Sequence, residues 1–256
     1  MRELAERTYF LWCRALGKLL RAGRYSTVRI VDEGGRRAVR KHRAFYAPFL
    51  VWLGGPLVKI LDTGSRVLRQ REWEERERLV YESLYCTSIV IDTDGTLVLP
   101  HLTGTTLADL LERPALGDSS RKRAIELAVV ALAEFHARGL THGDAMAENV
   151  MVDFDAGVAH WFDFETVHDS SRPMAWRRAD DLRALLATCL VRARPGQFAE
   201  TLQLILDVYA DDRVTRLLVP SFASVLQRPL TFHLGQAALS FQSFREIARL
   251  LTARLD

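Results

Sequence analysis

Residues 141–166 read THGDAMAENVMVDFDAGVAHWFDFET. Asp144 is followed five residues later by Asn149, and Asp163 stands fourteen residues beyond that. Between them, Val150-Met151-Val152 and Trp161-Phe162 have the composition of two short strands, separated by a turn containing Asp155 and Gly157. A hairpin sets the residue before its first strand beside the residue after its second, so Asn149 and Asp163 are expected to meet. An amide oxygen next to a carboxylate is a hard-oxygen pair suited to Mg²⁺ carrying polyphosphate. Asp144, on the loop just upstream, is placed to take a proton from a hydroxyl attacking a terminal phosphoryl group.

HGDxxxxN, an apolar triplet and then DFE together resemble the catalytic loop and metal-binding motif of the protein-kinase-like superfamily, HRDxxxxN and DFG. HGD in place of HRD is similar to the atypical small kinases, including aminoglycoside phosphotransferases and the kinase of the KEOPS complex. The resemblance implies a bilobal α+β fold with a small β-rich lobe and a mainly helical one. It implies Asp144 as the catalytic base, Asn149 and Asp163 as metal ligands, and His142 as a structural member of the loop. ATP and Mg²⁺ are the cofactors it implies.

The front half fits the same pattern. Gly23-Arg24-Tyr25-Ser26-Thr27-Val28 resembles half of a glycine-rich nucleotide loop, with Ser26 and Arg21 standing for glycines. Ala38-Val39-Arg40-Lys41 resembles the VAIK strand, whose cation holds phosphate. Strand alternation puts Ala38 and Arg40 on one face, so Arg40 is the cation in register, with Lys41 the alternative if a bulge intervenes. The partner glutamate is expected on a helix over Arg66–Leu84. Among Glu72, Glu74, Glu75 and Glu77, Glu75 is the choice because it lies four residues before Leu79, with Glu77 in reserve. Leu97–Gly104, including Leu99, His101 and Leu102, takes the place of the hinge that would bind adenine.

Only 18 residues separate Asp163 from Asp181, too few for the long activation segment of eukaryotic-type protein kinases. Asp181, with Asp180 as an alternative, resembles the buried aspartate that orients the catalytic loop. The compact back half resembles the lipopolysaccharide kinases of the Kdo/WaaP group, the KEOPS kinase and RIO kinases, and the order of motifs is nearest the Kdo/WaaP group. Three positions depart from the pattern: Ser26, Met146 near the transferred phosphate, and Glu165 in place of the glycine of DFG. Glu165 there resembles the DFE of small-molecule kinases, while Ser26 and Met146 keep a pseudokinase, binding nucleotide or a partner without turnover, as the alternative. A phosphohydrolase built on His142, Asp144 and Asp163 would need more histidine ligands than the loop supplies.

Of the 256 residues, 48% are hydrophobic and 26% charged, which excludes disorder and collagen-like architectures. Residues 1–79 hold 18 Lys and Arg against 9 Asp and Glu, while the remainder is acidic. A basic front is expected to face anions. The apolar, uncharged run FYAPFLVWLGGPLV at 45–58 is 14 residues, short of the roughly 20 needed to span a bilayer. Flanked by Lys41, Arg43 and Lys59, it suits a headgroup layer. Cys13, Cys86 and Cys189 form no CxxC pair, pointing to a reduced setting without structural zinc.

The expected layout is a leading helix over 4–20, a Gly34-Gly35 hairpin, strands at Ser88–Asp92 and Thr96–Leu99, and a long helix over Ser120–Arg138. Residues 1–100 are read as the nucleotide-covering lobe and 101–256 as the helical lobe of one kinase-like domain. The expected activity is transfer of the γ-phosphate to a hydroxyl of a glycolipid sugar, a protein or a small molecule. The expected location is the cytoplasm, with peripheral contact to the inner face of the membrane; nucleic acid is not the expected partner.

Overall fold

The computed structural model describes residues 4–11, 26–44, 64–223 and 239–255. The chain is α+β, with a small antiparallel sheet region and a helical portion. Gly23 and the 45–58 run lie outside the described residues, as does most of the 4–20 stretch, of which residues 4–11 are helical (α1).

Strands β1 (Ser26–Glu33) and β2 (Arg36–Arg43) form the hairpin expected at Gly34-Gly35. Both glycines have positive φ, 62° and 79°, which two-residue hairpin turns of this hand require. Asp32 fixes the turn by accepting the Gly35 N–H at 2.9 Å. A short β3 (Ser65–Val67) and helix α2 (Gln70–Tyr85) follow, then β4 (Val90–Ile91) and β5 (Leu97–Pro100). The four-stranded sheet runs β1-β2-β5-β4, with Lys41 opposite Leu97 and Val39 opposite Leu99. Leu97 and Leu99 are buried, so the face carrying Val39, Lys41 and Arg43 is the inner one.

Helix α2 buries Trp73, Glu77, Val80 and Tyr81, the i, i+4, i+7, i+8 stripe of a helix with one face on the core. It begins at Gln70 and not at Arg66. Residues Ser65–Val67 are extended and pair antiparallel with β9 (Thr166–His168), a strand the local pattern did not reveal because its partner lies far along the chain.

The helical portion opens with β6 (Thr105–Thr106) and α3 (Leu107–Glu112), whose N-terminus is capped by Thr106 Oγ1 accepting the Asp109 N–H at 3.1 Å. Its central helix is α4 (Asp118–Ala137), packed against α5 (Met174–Leu190) and α6 (Phe198–Tyr209). Two further helices, α7 (Asp212–Ala223) and α8 (Phe241–Leu255), complete this portion. Over it lies the hairpin β7 (Val150–Asp153) and β8 (Val158–Trp161), paired Val150 to Trp161, with β6 on the other edge of β7. A continuous core joins α2 to these helices through Tyr81, Phe164 and Phe135. Among the described residues no helix is long and apolar enough to cross a membrane.

Candidate active site

Lys41 is the cation the sheet delivers inward. Its Nζ lies 3.0 Å from Glu77 Oε1, 2.6 Å from Asp163 Oδ1 and 3.2 Å from Glu165 Oε1. The side chain is only 6% exposed and passes over the Trp73 ring, with Nζ 5.2 Å from its centroid. Burial opposes the ammonium charge, but Asp163, Glu77 and Glu165 outweigh it and hold the Lys41 pKa well above the ordinary value. At Asp163, burial pushes the pKa up and Lys41 outweighs it, leaving the carboxyl below its usual range. At Glu165 burial prevails and raises the pKa. Asp163 itself has φ +68° and is 37% exposed, so the carboxylate bonded to Lys41 also opens to solvent.

These contacts correct two sequence expectations. Arg40 lies on the outer face, where it pairs with Glu33 at 3.2 Å and with Asp92. Assigning Arg40 to the inner face took the wrong phase of the alternation; no bulge is needed, because the buried partners Leu97 and Leu99 put Val39 and Lys41 inside and Ala38 outside. Glu75 is exposed, as is Leu79 at 49%. The stripe through Trp73, Glu77 and Tyr81 turns Glu77 inward, and Trp73 Nε1 donates to Glu77 Oε1 at 3.0 Å.

The loop 141–149 is held from below by Asp181. Its Oδ2 accepts the His142 N–H at 2.7 Å and its Oδ1 the Gly143 N–H at 2.8 Å, while His136 Nε2 sits 3.0 Å from Oδ2. Burial would raise the Asp181 pKa, but His168, His136 and His142 hold it well below the carboxylate range. Gly143 has φ +85°, and a Cβ there would stand 3.0–3.1 Å from the backbone of Thr166 and Val167. Glycine is therefore required both by conformation and by the close approach of β9.

His142 is fully buried beneath the loop. Its ring packs 4.9 Å from Phe164 and 5.3 Å from Trp161. Nδ1 receives the Asp144 N–H at 3.3 Å, so the ring proton is on Nε2, which donates to the Phe162 carbonyl at 2.9 Å. Desolvation lowers its pKa to about 4.

The Asp144 side chain emerges half-buried. Asn149 Nδ2 donates to Asp144 Oδ2 at 3.1 Å and to the Asp144 carbonyl at 2.8 Å, which turns the amide oxygen away from Asp144. The Asn149 carbonyl accepts the Phe162 N–H at 3.0 Å, so the hairpin brings Asn149 within one residue of Asp163. Among the described residues no three His, Cys, Asp or Glu side chains form a metal cage. One carboxylate and one amide are nonetheless what Mg²⁺ takes when waters and phosphates fill its other positions.

The remaining expected residues are spread around this centre. Ser26 reaches Glu165 with its hydroxyl. Val28 faces Lys41 across the hairpin and is 58% exposed. Leu99 is buried in β5, and His101 and Leu102, half-buried, follow its end. Nothing in the local sequence pattern marks Thr141 or His168, and Glu165, a departure from the DFG pattern, lies 3.2 Å from Lys41.

No protein-family model and no curated protein matches the chain. Among solved structures it is similar to the crystal structure of Rad53 1-466 in complex with AMP-PNP, at 16% identity and a TM-score of 0.37. The match covers 90% of this chain and 57% of that one, so the chain spans little more than half its length.

Proposed function

We propose that this chain has a protein-kinase-like fold and is an ATP- and Mg²⁺-dependent phosphotransferase acting on a hydroxyl. The observation that carries the reading is the buried Lys41 clamped by Glu77 and Asp163, with Asp144 and Asn149 locked together on the adjoining loop. A lysine buried among carboxylates stays charged and fixed, and it meets phosphate oxygens once one of the carboxylates Asp163 and Glu165 gives way. The inner sheet face beside it carries Val28 and Ile30, both exposed, with Val39, an apolar surface for a nucleobase next to the end of β5. Asn149 and Asp163 would hold Mg²⁺, which when bound neutralises charge on the polyphosphate. Asp144 accepts the proton of the attacking hydroxyl, and Asn149 keeps its carboxylate aimed.

The acceptor we favour is a hydroxyl of a glycolipid at a membrane surface, from the basic first 79 residues and the 45–58 run. A protein hydroxyl or a small molecule are the other acceptors the chemistry admits. Incubation with γ-labelled ATP and a cell lysate separated into lipid, protein and RNA should place label in the lipid fraction, and Asp163→Ala should abolish it. Label in protein or RNA would overturn the lipid acceptor, and no Mg²⁺-dependent transfer to any fraction would overturn the enzyme.

A second reading, nucleotide binding without turnover, rests on Glu165. Its carboxylate is 3.2 Å from Lys41, on the cation that would otherwise meet phosphate, and is tied to Ser26 at the start of β1. Glu165→Gly should strengthen nucleotide binding under this reading. Transfer by the unaltered protein decides against it.

A further inference from the structure

His168, which ends β9, is enclosed on every side. Nδ1 lies 3.0 Å from Thr141 Oγ1, and Nε2 lies 3.2 Å from Asp180 Oδ2 and 3.8 Å from Asp181 Oδ1. The Trp176 ring meets the imidazole edge-on at 6.1 Å. The side chain is fully buried. Thr141 immediately precedes His142, so this imidazole joins the strand that follows Asp163 and Glu165 to the loop that carries Asp144.

The charges facing it come mainly from α5. Asp180 is also bonded by Arg183 Nη2 at 2.6 Å, and Asp181 by His136 at 3.0 Å. Arg177 opposes protonation, and β3 contributes Ser65, its register partner. Two buried carboxylates in sequence are therefore compensated by Arg183 and His168, with His136 hydrogen-bonded to Asp181. Desolvation alone would depress the imidazole, but Asp181 and Asp180 outweigh it, so the pKa lies above the ordinary histidine value. Two buried acids need such compensation, and losing it leaves charge unpaired in a low-dielectric interior.

We infer that His168 is a positioning residue for the loop carrying Asp144, its ring bridging Thr141 to Asp180 beside Asp181, the carboxylate from which the loop is hung. In the protonated state Nδ1–H donates to Thr141 and Nε2–H to Asp180. When the proton leaves, the Thr141 hydroxyl must turn to donate to Nδ1, and Asp181 loses part of the charge that keeps it ionised beneath His142 and Gly143. The link to catalysis rests on the function proposed above; the mechanical coupling does not.

The test is an NMR titration of labelled, full-length protein. The His168 ring should titrate with a midpoint above the ordinary imidazole value, and the backbone amides of His142 and Gly143 should shift with that same midpoint. In His168→Gln, which keeps a donor for Asp180 and an acceptor for Thr141, those amides should stay at their high-pH positions throughout. Amides that do not follow the ring, or that titrate unchanged in His168→Gln, overturn the inference. If that variant does not fold, Thr141→Val serves: His168 still titrates, and the His142 and Gly143 shifts shrink to the part carried through Asp181, so shifts of undiminished size overturn the inference. In transfer assays the wild-type kcat should fall as pH rises through the midpoint at constant nucleotide KM, and His168→Gln should sit at the lower plateau at every pH. Absence of transfer with intact amide coupling would refute the enzyme assignment and leave the brace standing.

Discussion

Lys41 and Glu77 meet at 3.0 Å, one from the inner face of a sheet and one from the buried stripe of a helix, both almost wholly out of water. Neither charge is affordable there alone. Removing one partner of a buried pair typically costs about 3–5 kcal/mol because the other is left uncompensated. Lys41→Met leaves Glu77, Asp163 and Glu165 facing one another, so its loss of stability should fall in that range. Arg40→Met, at an exposed, solvent-screened pair, should change stability far less. Urea unfolding midpoints of the two variants check this, and equal midpoints would refute the inward assignment of Lys41.

Asp144→Asn should retain nucleotide affinity and lower turnover by roughly 10²–10⁴-fold, the usual cost of losing a general base. Its amide can still meet Asn149, so the fold should be intact. Steady-state transfer rates beside nucleotide titrations separate the two effects, and full activity would remove Asp144 from the chemistry.

Gly143→Ala forces a Cβ against the Thr166 and Val167 backbone at a position with φ +85°. Neither neighbour is a flexible side-chain end, so the loop must move. A destabilisation of about 1–3 kcal/mol is expected from strain at such a site. Calorimetric Tm should fall, and a crystal structure should show the His142 and Gly143 amides displaced from Asp181.

Acid should loosen the same loop through His142. Its folded pKa of about 4 lies below the roughly 6.5 of an unfolded histidine, so the unfolded chain binds the extra proton between those values. The associated stability is complete above about pH 6.5 and is lost as pH falls toward 4. Between pH 7 and 5 this amounts to about 2 kcal/mol. Denaturation midpoints at the two pH values, compared with His142→Gln, should show a flatter dependence in the variant; parallel slopes would contradict a buried neutral ring.

The residues of 141–166 lie close in sequence, and their mutual placement was legible because a short hairpin leaves little freedom. Asn149 beside Phe162 follows from strand lengths alone. The Asp181 reading came from likeness of pattern, and the buried carboxylate is bonded to both loop amides. What failed was phase. A strand of RRAVRKHR offers little apolar contrast, so only the partner strand, with Leu97 and Leu99 buried, tells which cation faces in. On α2, four glutamates within six residues mask the stripe, and the large side chains Trp73 and Tyr81 mark it better than Leu79 does. The His168 contacts were illegible because they join three segments remote in sequence.

The pairing of Ser65–Val67 with Thr166–His168 has a consequence for biogenesis. Such a remote junction must close a very large loop before it returns any stabilisation. A nascent chain can form the Gly34-Gly35 hairpin soon after it emerges, but β3 has no partner until most of the molecule has been synthesised. Translation pauses or truncations ahead of Thr166 should therefore yield chains in which Lys41 and Glu77 can be in place while the strand that seats Asp163 remains unanchored.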